Sequence, residues 1–211
     1  GPMFRREKPQ AGRLRQFHQV GIEIFDEKNP FNDVESILIA EKFLKLLGVR
    51  DKIKLEINTL GNLESRKNYI SDLVKFLKKN ISRLSSESKK KLETNPLRIL
   101  DSKNNEDKEI IEESPKILNF LDDESNFFFE AVLNNLKKLN IEFSVNPYLV
   151  RGLDYYNHTA FEFVTFEDKS QNAVLAGGRY DGLVSSLGGK NLSGVGWASG
   201  IERIILNLKE I

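Results

Sequence analysis

Leu149-Val150-Arg151-Gly152-Leu153-Asp154-Tyr155-Tyr156-Asn157-His158-Thr159-Ala160-Phe161-Glu162-Phe163 is the stretch on which the fold turns. Most of it is apolar or aromatic, the kind of residue that goes to the interior. It still carries Arg151, Asp154 and Glu162, and a charge inside a protein is costly unless it is paired or bound. The alternation suits a strand, with Arg151, Leu153 and Tyr155 facing one way and Gly152, Asp154 and Tyr156 the other. Asn157-His158 makes a turn into a second strand, in which Phe161 and Phe163 share a face. A hairpin with a structural salt bridge accounts for this spacing, and so does a ligand site. Spacing alone leaves both open.

Downstream, Ala176-Gly177-Gly178-Arg179-Tyr180-Asp181-Gly182 places two glycines where a ligand can approach the backbone. Gly194-Val195-Gly196-Trp197-Ala198-Ser199-Gly200 reads as a strand of small residues running into a helix, Ile201-Glu202-Arg203-Ile204-Ile205-Leu206. The double glycines are no P-loop, which needs a Lys-Ser/Thr that the chain lacks there. Upstream, Asp123 or Ser125 caps a helix bearing Phe128, Ala131, Val132, Leu136 and Leu139, and Ile141 to Val145 is a short strand closed by Asn146-Pro147.

Residues 62–120 change character. Leu63, Ile70, Leu73, Val74 and Leu77 predict a helix of about four turns. Dense charge follows, at Ser85-Ser86-Glu87-Ser88-Lys89-Lys90-Lys91 and Asp101-Ser102-Lys103-Asn104-Asn105. This predicts short helices and solvated loops in a small insertion, rather than a second full core. Before it, Asn29-Pro30 starts a helix with an apolar stripe of Val34, Ile37, Leu38, Leu44 and Leu47, and Gly48 sits at its C-terminal cap. Ile53, Leu55 and Ile57 then share one face of a strand.

At the front, Phe4-Arg5-Arg6-Glu7 leads into a loop marked by Pro9 and Gly12. A longer strand, 15–25, sorts by parity. His18, Val20, Ile22 and Ile24 form an apolar face, so His18 is expected to be packed. Arg15, Phe17, Gln19, Gly21 and Glu23 form the other: a cation, a flat aromatic, an amide and a carboxylate, with a glycine that lets a ligand lie close. That is a ligand-reading face.

Bulk properties bound the function. The 211 residues are 39% apolar and 30% charged, with a formal net charge of +1. One good core plus a small insert fits that length. Near-neutrality argues against a non-specific polyanion binder, though a local basic face is compatible with it. There is no cysteine and only two histidines, so a disulfide framework or a protein-built transition-metal site is not expected. No apolar run approaches a membrane span and no export segment stands at the front, so cytoplasmic location is the default.

R-G-L-D-Y-Y followed by T-x-F-E resembles the histidine-specific motif of histidyl-tRNA synthetases. F-R-x-E, a loop, and R-Q-F-H-Q-x-G-x-E resemble motif 2 of class II aminoacyl-tRNA synthetases in the histidyl version. G-G-R-Y-D-G resembles the family's second histidine motif, G-x-E-R resembles motif 3, and T-N-P-L-R-I-L-D-S-K at 94–103 resembles bacterial members. The resemblance covers essentially the whole chain. It implies an α+β fold: an antiparallel sheet flanked by helices, with catalytic core at 1–61 and 121–211 and a helical insertion at 62–120.

It also implies roles. Arg5 and Arg151 would hold the ATP α-phosphate, Arg151 stabilising the transition state. Glu7 would meet the adenine amino group, Phe17 stack on the ring, Arg203 lie over it and hold the γ-phosphate, and Arg13 reach the outer phosphates or the tRNA end. Gln19, Glu23, Tyr155 and Tyr156 would build the histidine pocket, with Arg151 beside it; no role falls on His158. The activity implied is that of a histidine–tRNA ligase using histidine, ATP with Mg²⁺, and tRNA(His), as a homodimer. The abrupt start and the missing motif 1 and anticodon-binding domain predict a catalytic fragment with little activity of its own. A synthetase-like regulatory subunit of ATP phosphoribosyltransferase and a non-catalytic binding protein are the alternatives; the intact R-G-L-D-Y-Y and the retained Arg5, Glu23, Arg151 and Arg203 speak against them.

Overall fold

The computed structural model describes residues 1–6, 13–151, 155–166 and 172–208. Its elements in chain order are β1 (Pro2–Phe4), β2 (Gln16–Asp26), α1 (Pro30–Leu46), β3 (Ile53–Thr59), α2 (Leu63–Lys79), α3 (Ser86–Thr94), α4 (Asn105–Glu113), α5 (Asp123–Lys138), β4 (Ser144–Val145), β5 (Asn157–Thr165), β6 (Ala173–Arg179), α6 (Leu183–Ser186), β7 (Ser193–Gly200) and α7 (Ile201–Leu208). The strands form one sheet in the order β1-β2-β7-β6-β5-β3-β4. Every pairing is antiparallel except that of the two-residue β4, which runs parallel to β3.

The two faces of the sheet differ in kind. One buries Ile53, Leu55, Ile57, Phe161, Phe163 and Trp197 against Val34, Ile37, Ala40 and Leu44 of α1 and Phe128, Val132 and Leu136 of α5. At roughly 25 cal/mol per Å² of apolar surface, this layer supplies most of the hydrophobic stabilisation. The register puts Gly21 opposite Ala198, Glu23 opposite Gly196, and Ala176 opposite Ala198. With Gly178 and Gly200 these small residues leave the other face open.

Local chemistry sets the helix ends. Asn29 caps α1 by accepting from the Phe31 amide, and Pro30 fills the first turn. At its far end Gly48 takes φ +71, its amide bonds the Lys45 carbonyl and the Val49 amide bonds Leu44, a Schellman close that needs a glycine. Asp122, rather than Asp123 or Ser125, caps α5, accepting from the Ser125 amide.

Several expectations change. The R-G-L-D-Y-Y stretch is not a strand where it is described: Arg151 and Tyr156 lie outside the sheet and Tyr155 is in a turn, while 152–154 fall outside the described residues. The rings of Tyr155 and Tyr156 stand 4.8 Å apart and both approach Tyr180, which alternating strand faces would forbid. Asn157 and His158 open β5 instead of turning; a register shift follows Asn157, and His158 takes φ 44. The expected strand at 141–145 shrinks to two residues.

His18 is not packed. Its side chain is 54% exposed and pairs with Glu202 at 3.1 Å. Strand parity fixes a face, but at this end of β2 that face meets Glu202 on the first turn of α7.

Apolar residues are sparse in 62–120, yet they form a second buried cluster around Leu73, Leu77, Leu97, Ile99 and Ile110. The serines predicted to be solvated are partly its scaffold. Asp107 is fully buried and accepts from the Ser85 amide and from the hydroxyls of Ser85, Ser88 and Ser102, at 2.6–2.9 Å. Burial works to raise its pKa; the hydroxyls of Ser102 and Ser88 and the two Ser85 groups outweigh it and hold the carboxyl below its ordinary range.

Candidate active site

On the open face lies a cavity of about 480 Å³. Arg5, Phe17, Gln19, Glu23, Arg151, Tyr155, Tyr156 and Arg203 line it over a floor of Ala176, Gly196, Ala198 and Gly200. A second cavity of about 600 Å³ adjoins it, sharing Arg5, Arg151 and Arg203. Arg13 lines this one, as do Asp101 and Lys103 from the loop before α4 and Glu87 from α3. Glu7 lies outside the described residues.

The cation end is electrostatically strained. Arg203 stands on the first turn of α7 and donates from Nη1 to the Ala173 carbonyl at 2.7 Å. Burial first, then the charges of Arg5 and Arg13, push its pKa down. Guanidiniums brought together in this way call for an anion between them. Arg5 donates from Nε to the Leu14 carbonyl and its guanidinium sits 4.1 Å from the Phe17 ring centroid, so the ring face predicted for adenine carries a cation here.

The other end is built of tyrosines. Tyr180, to which the sequence reading attached no role, donates its hydroxyl to Glu23 Oε2. Burial, then this bond, raises the phenol's pKa, so the proton stays on oxygen. Burial also pushes Tyr155 up to about 12. A Cβ at position 196 would overlap the Glu23 carboxylate and one at 194 the Tyr180 ring, which is why this stretch needs glycine. Tyr180 is anchored from behind. The neighbouring Arg179 is fully buried and donates to Asp33 (2.9 Å), Asp181 (2.9 Å) and the Asn29 carbonyl (3.0 Å). The signal for Tyr180 was present in the G-G-R-Y-D-G string; only the return of β6 alongside β7 and β2 puts it on Glu23.

Arg151 lies between the two cavities, and its Nη1 donates to Glu162 Oε1 of β5. Its guanidinium is 5.3 Å from the Tyr156 ring, and that ring rests on Gly178. The salt bridge therefore stands at the edge of the candidate site.

A family model described as histidyl-tRNA synthetase matches residues 1–204. The chain belongs to the histidyl-tRNA synthetase family. It is 52% identical over 210 residues to a histidine–tRNA ligase of Streptococcus pneumoniae and 50% identical over 204 residues to one of Rhodospirillum rubrum. The matches take in 100% and 97% of this chain but 49% of each relative, so the chain spans about half the length of the curated relatives it matches. Apo histidyl-tRNA synthetase of Staphylococcus aureus superposes with a TM-score of 0.74 at 37% identity, covering 100% of this chain and 50% of that one. A Bacillus halodurans structure named as an ATP phosphoribosyltransferase regulatory subunit/histidyl-tRNA synthetase gives a TM-score of 0.64 at 18% identity, covering 99% and 57%. That second likeness is one of fold alone.

Proposed function

We propose that the protein to which this chain belongs is a cytoplasmic, homodimeric histidine–tRNA ligase, with its core at 1–61 and 121–211 and a helical insertion at 62–120. It activates histidine with ATP to histidyl-adenylate and pyrophosphate, then passes the histidyl group to tRNA(His). The observation that carries this reading is the convergence on one cavity of a carboxylate with tyrosines at one end and arginines at the other. Glu23 takes an imidazole N–H; Tyr155 and Tyr156 wall the ring; Gln19 faces the amino acid. Phe17 and Arg203 hold the adenine between them once Arg5 leaves the Phe17 face. Arg5 and Arg151 bracket the α-phosphate, and Arg13 and Arg203 the outer phosphates. Glu7 is assigned to the adenine amino group.

The chemistry is attack of a histidine carboxylate oxygen on the α-phosphorus, with the α–β bond breaking and pyrophosphate leaving. It asks for positioning and charge stabilisation, which rigid guanidinium forks supply. Among the described residues no group of three or more His, Cys, Asp or Glu side chains is placed to hold a metal. Mg²⁺ would come on the ATP phosphates and help to hold them.

Calorimetric titration of the chain with histidine, alone and with a non-hydrolysable ATP analogue and Mg²⁺, tests the reading. Saturable binding of histidine over other amino acids, weakened by Arg151→Ala when the ATP analogue is present, is expected. A folded chain that binds glutamine as well as histidine would overturn it.

A further inference from the structure

Glu162 is a costly residue to hold in the sheet. It sits in the middle of β5, between Phe161 and Phe163, opposite Glu56 on β3 and Ala176 on β6. A branched apolar side chain would suit a central strand better. Its surroundings are hostile to a carboxylate: burial raises its pKa, and the charges of Asp101 and Glu56 add to that. Glu56 is itself engaged by Lys54 and by the Asn146 amide. The attractive partner of Glu162 is Arg151; the two side chains are 20% and 18% exposed.

The geometry of the pair is one-sided. Arg151 lines both cavities, whereas Glu162 lines only the outer one. Glu162 engages Nη1, and Arg151 Nε is buried with no hydrogen-bond partner among the described residues. A guanidinium has five donors in a fixed plane. Glu162 engages this fork at Nη1, and the side chain still borders the inner cavity, where an anion can meet it. A competitor for the substrate would stand in the inner cavity and occupy the fork.

We infer that Glu162 is the positioning residue for Arg151: from a strand fixed on both sides it aims the guanidinium at the anionic centre of the adenylate. The inference rests on the function proposed above for Arg151. It extends that reading to a residue that touches no substrate. A rigid strand is a better mount than the irregular segment that carries Arg151.

The test uses Glu162→Gln, which keeps shape and removes charge, in this chain and in Arg151→Ala. The first readout needs no ligand. The Arg151 Nε–H resonance, assigned by its loss in Arg151→Ala, is expected to exchange slowly with water in the parent and rapidly in Glu162→Gln. The second is affinity for a non-hydrolysable histidyl-adenylate mimic. Glu162→Gln is expected to weaken it roughly tenfold, the scale of one charge-assisted hydrogen bond, and to have no further effect in the Arg151→Ala background. Unchanged or tighter binding by Glu162→Gln overturns the inference, as does an equal loss in both backgrounds, which would mean a merely structural role. A parent chain that binds no mimic counts against the proposed function, and the Arg151 resonance then decides for or against the pairing.

Discussion

His158 shows how a single residue records the cost of its place. It is buried, its ring lies tilted 4.9 Å from that of Phe128, and its Nδ1 has no hydrogen-bond partner among the described residues. Burial, then the charge of Lys28, lowers its pKa to about 4. Unfolded, it would titrate near 6.5. The unfolded chain then binds more protons between those values, so stability is full above the unfolded pKa and falls as pH drops toward the folded one. The loss expected between pH 7 and pH 5 is about 2 kcal/mol. Urea titrations at the two pH values should show it in the parent and not in His158→Gln; an equal pH dependence in both would refute the assignment. Tyr180 and Glu23 make the complementary case, in which a buried hydroxyl and a carboxylate satisfy each other.

At the scale of elements, polar side chains organise what apolar ones cannot. Asp107 ties the first turn of α4 to the start of α3 and to the loop at Ser102. Asp107→Ala leaves those buried donors unsatisfied and should cost roughly 3 kcal/mol, measured as a shift of the urea midpoint at unchanged m-value. A cost under about 1 kcal/mol would mean that the second cluster is held by its leucines and isoleucines alone. The same element logic separates legible from illegible sequence. α1 was readable end to end because its caps and stripe are local. The strand expected around Arg151, Tyr155 and Tyr156 was not, because aromatic alternation does not show that the rings of Tyr155 and Tyr156 pack on each other and on Tyr180.

For the whole molecule, a net charge of +1 conceals a lopsided field. Arg5, Arg13, Arg151 and Arg203 gather around two joined cavities, where Glu162 pairs with Arg151, Glu87 and Asp101 also border the outer cavity, and Glu23 is engaged by Tyr180. Such a cluster stores repulsion that a polyanion relieves. Millimolar tripolyphosphate should therefore raise the melting temperature, by linkage worth about 2.7 kcal/mol at a hundred times its Kd. Sodium chloride at equal ionic strength should do much less. Equal shifts from the two salts would mean screening without a site.

What the residues determined unaided were the local and periodic things: the capped helix at 30–46, the apolar face of β3, the two-faced β2, the small-residue strand β7 and, by resemblance of motifs, the family. Tertiary structure alone decided the rest. It placed Tyr180 on Glu23 across β6, β7 and β2, set Glu162 behind Arg151 and Arg5 on Phe17, and exposed His18 to Glu202. Each of these depends on which strand lies beside which, and on what burial does to a charge once it is there. Neither the pairing order nor the solvent each residue has lost is written in any local stretch of chain.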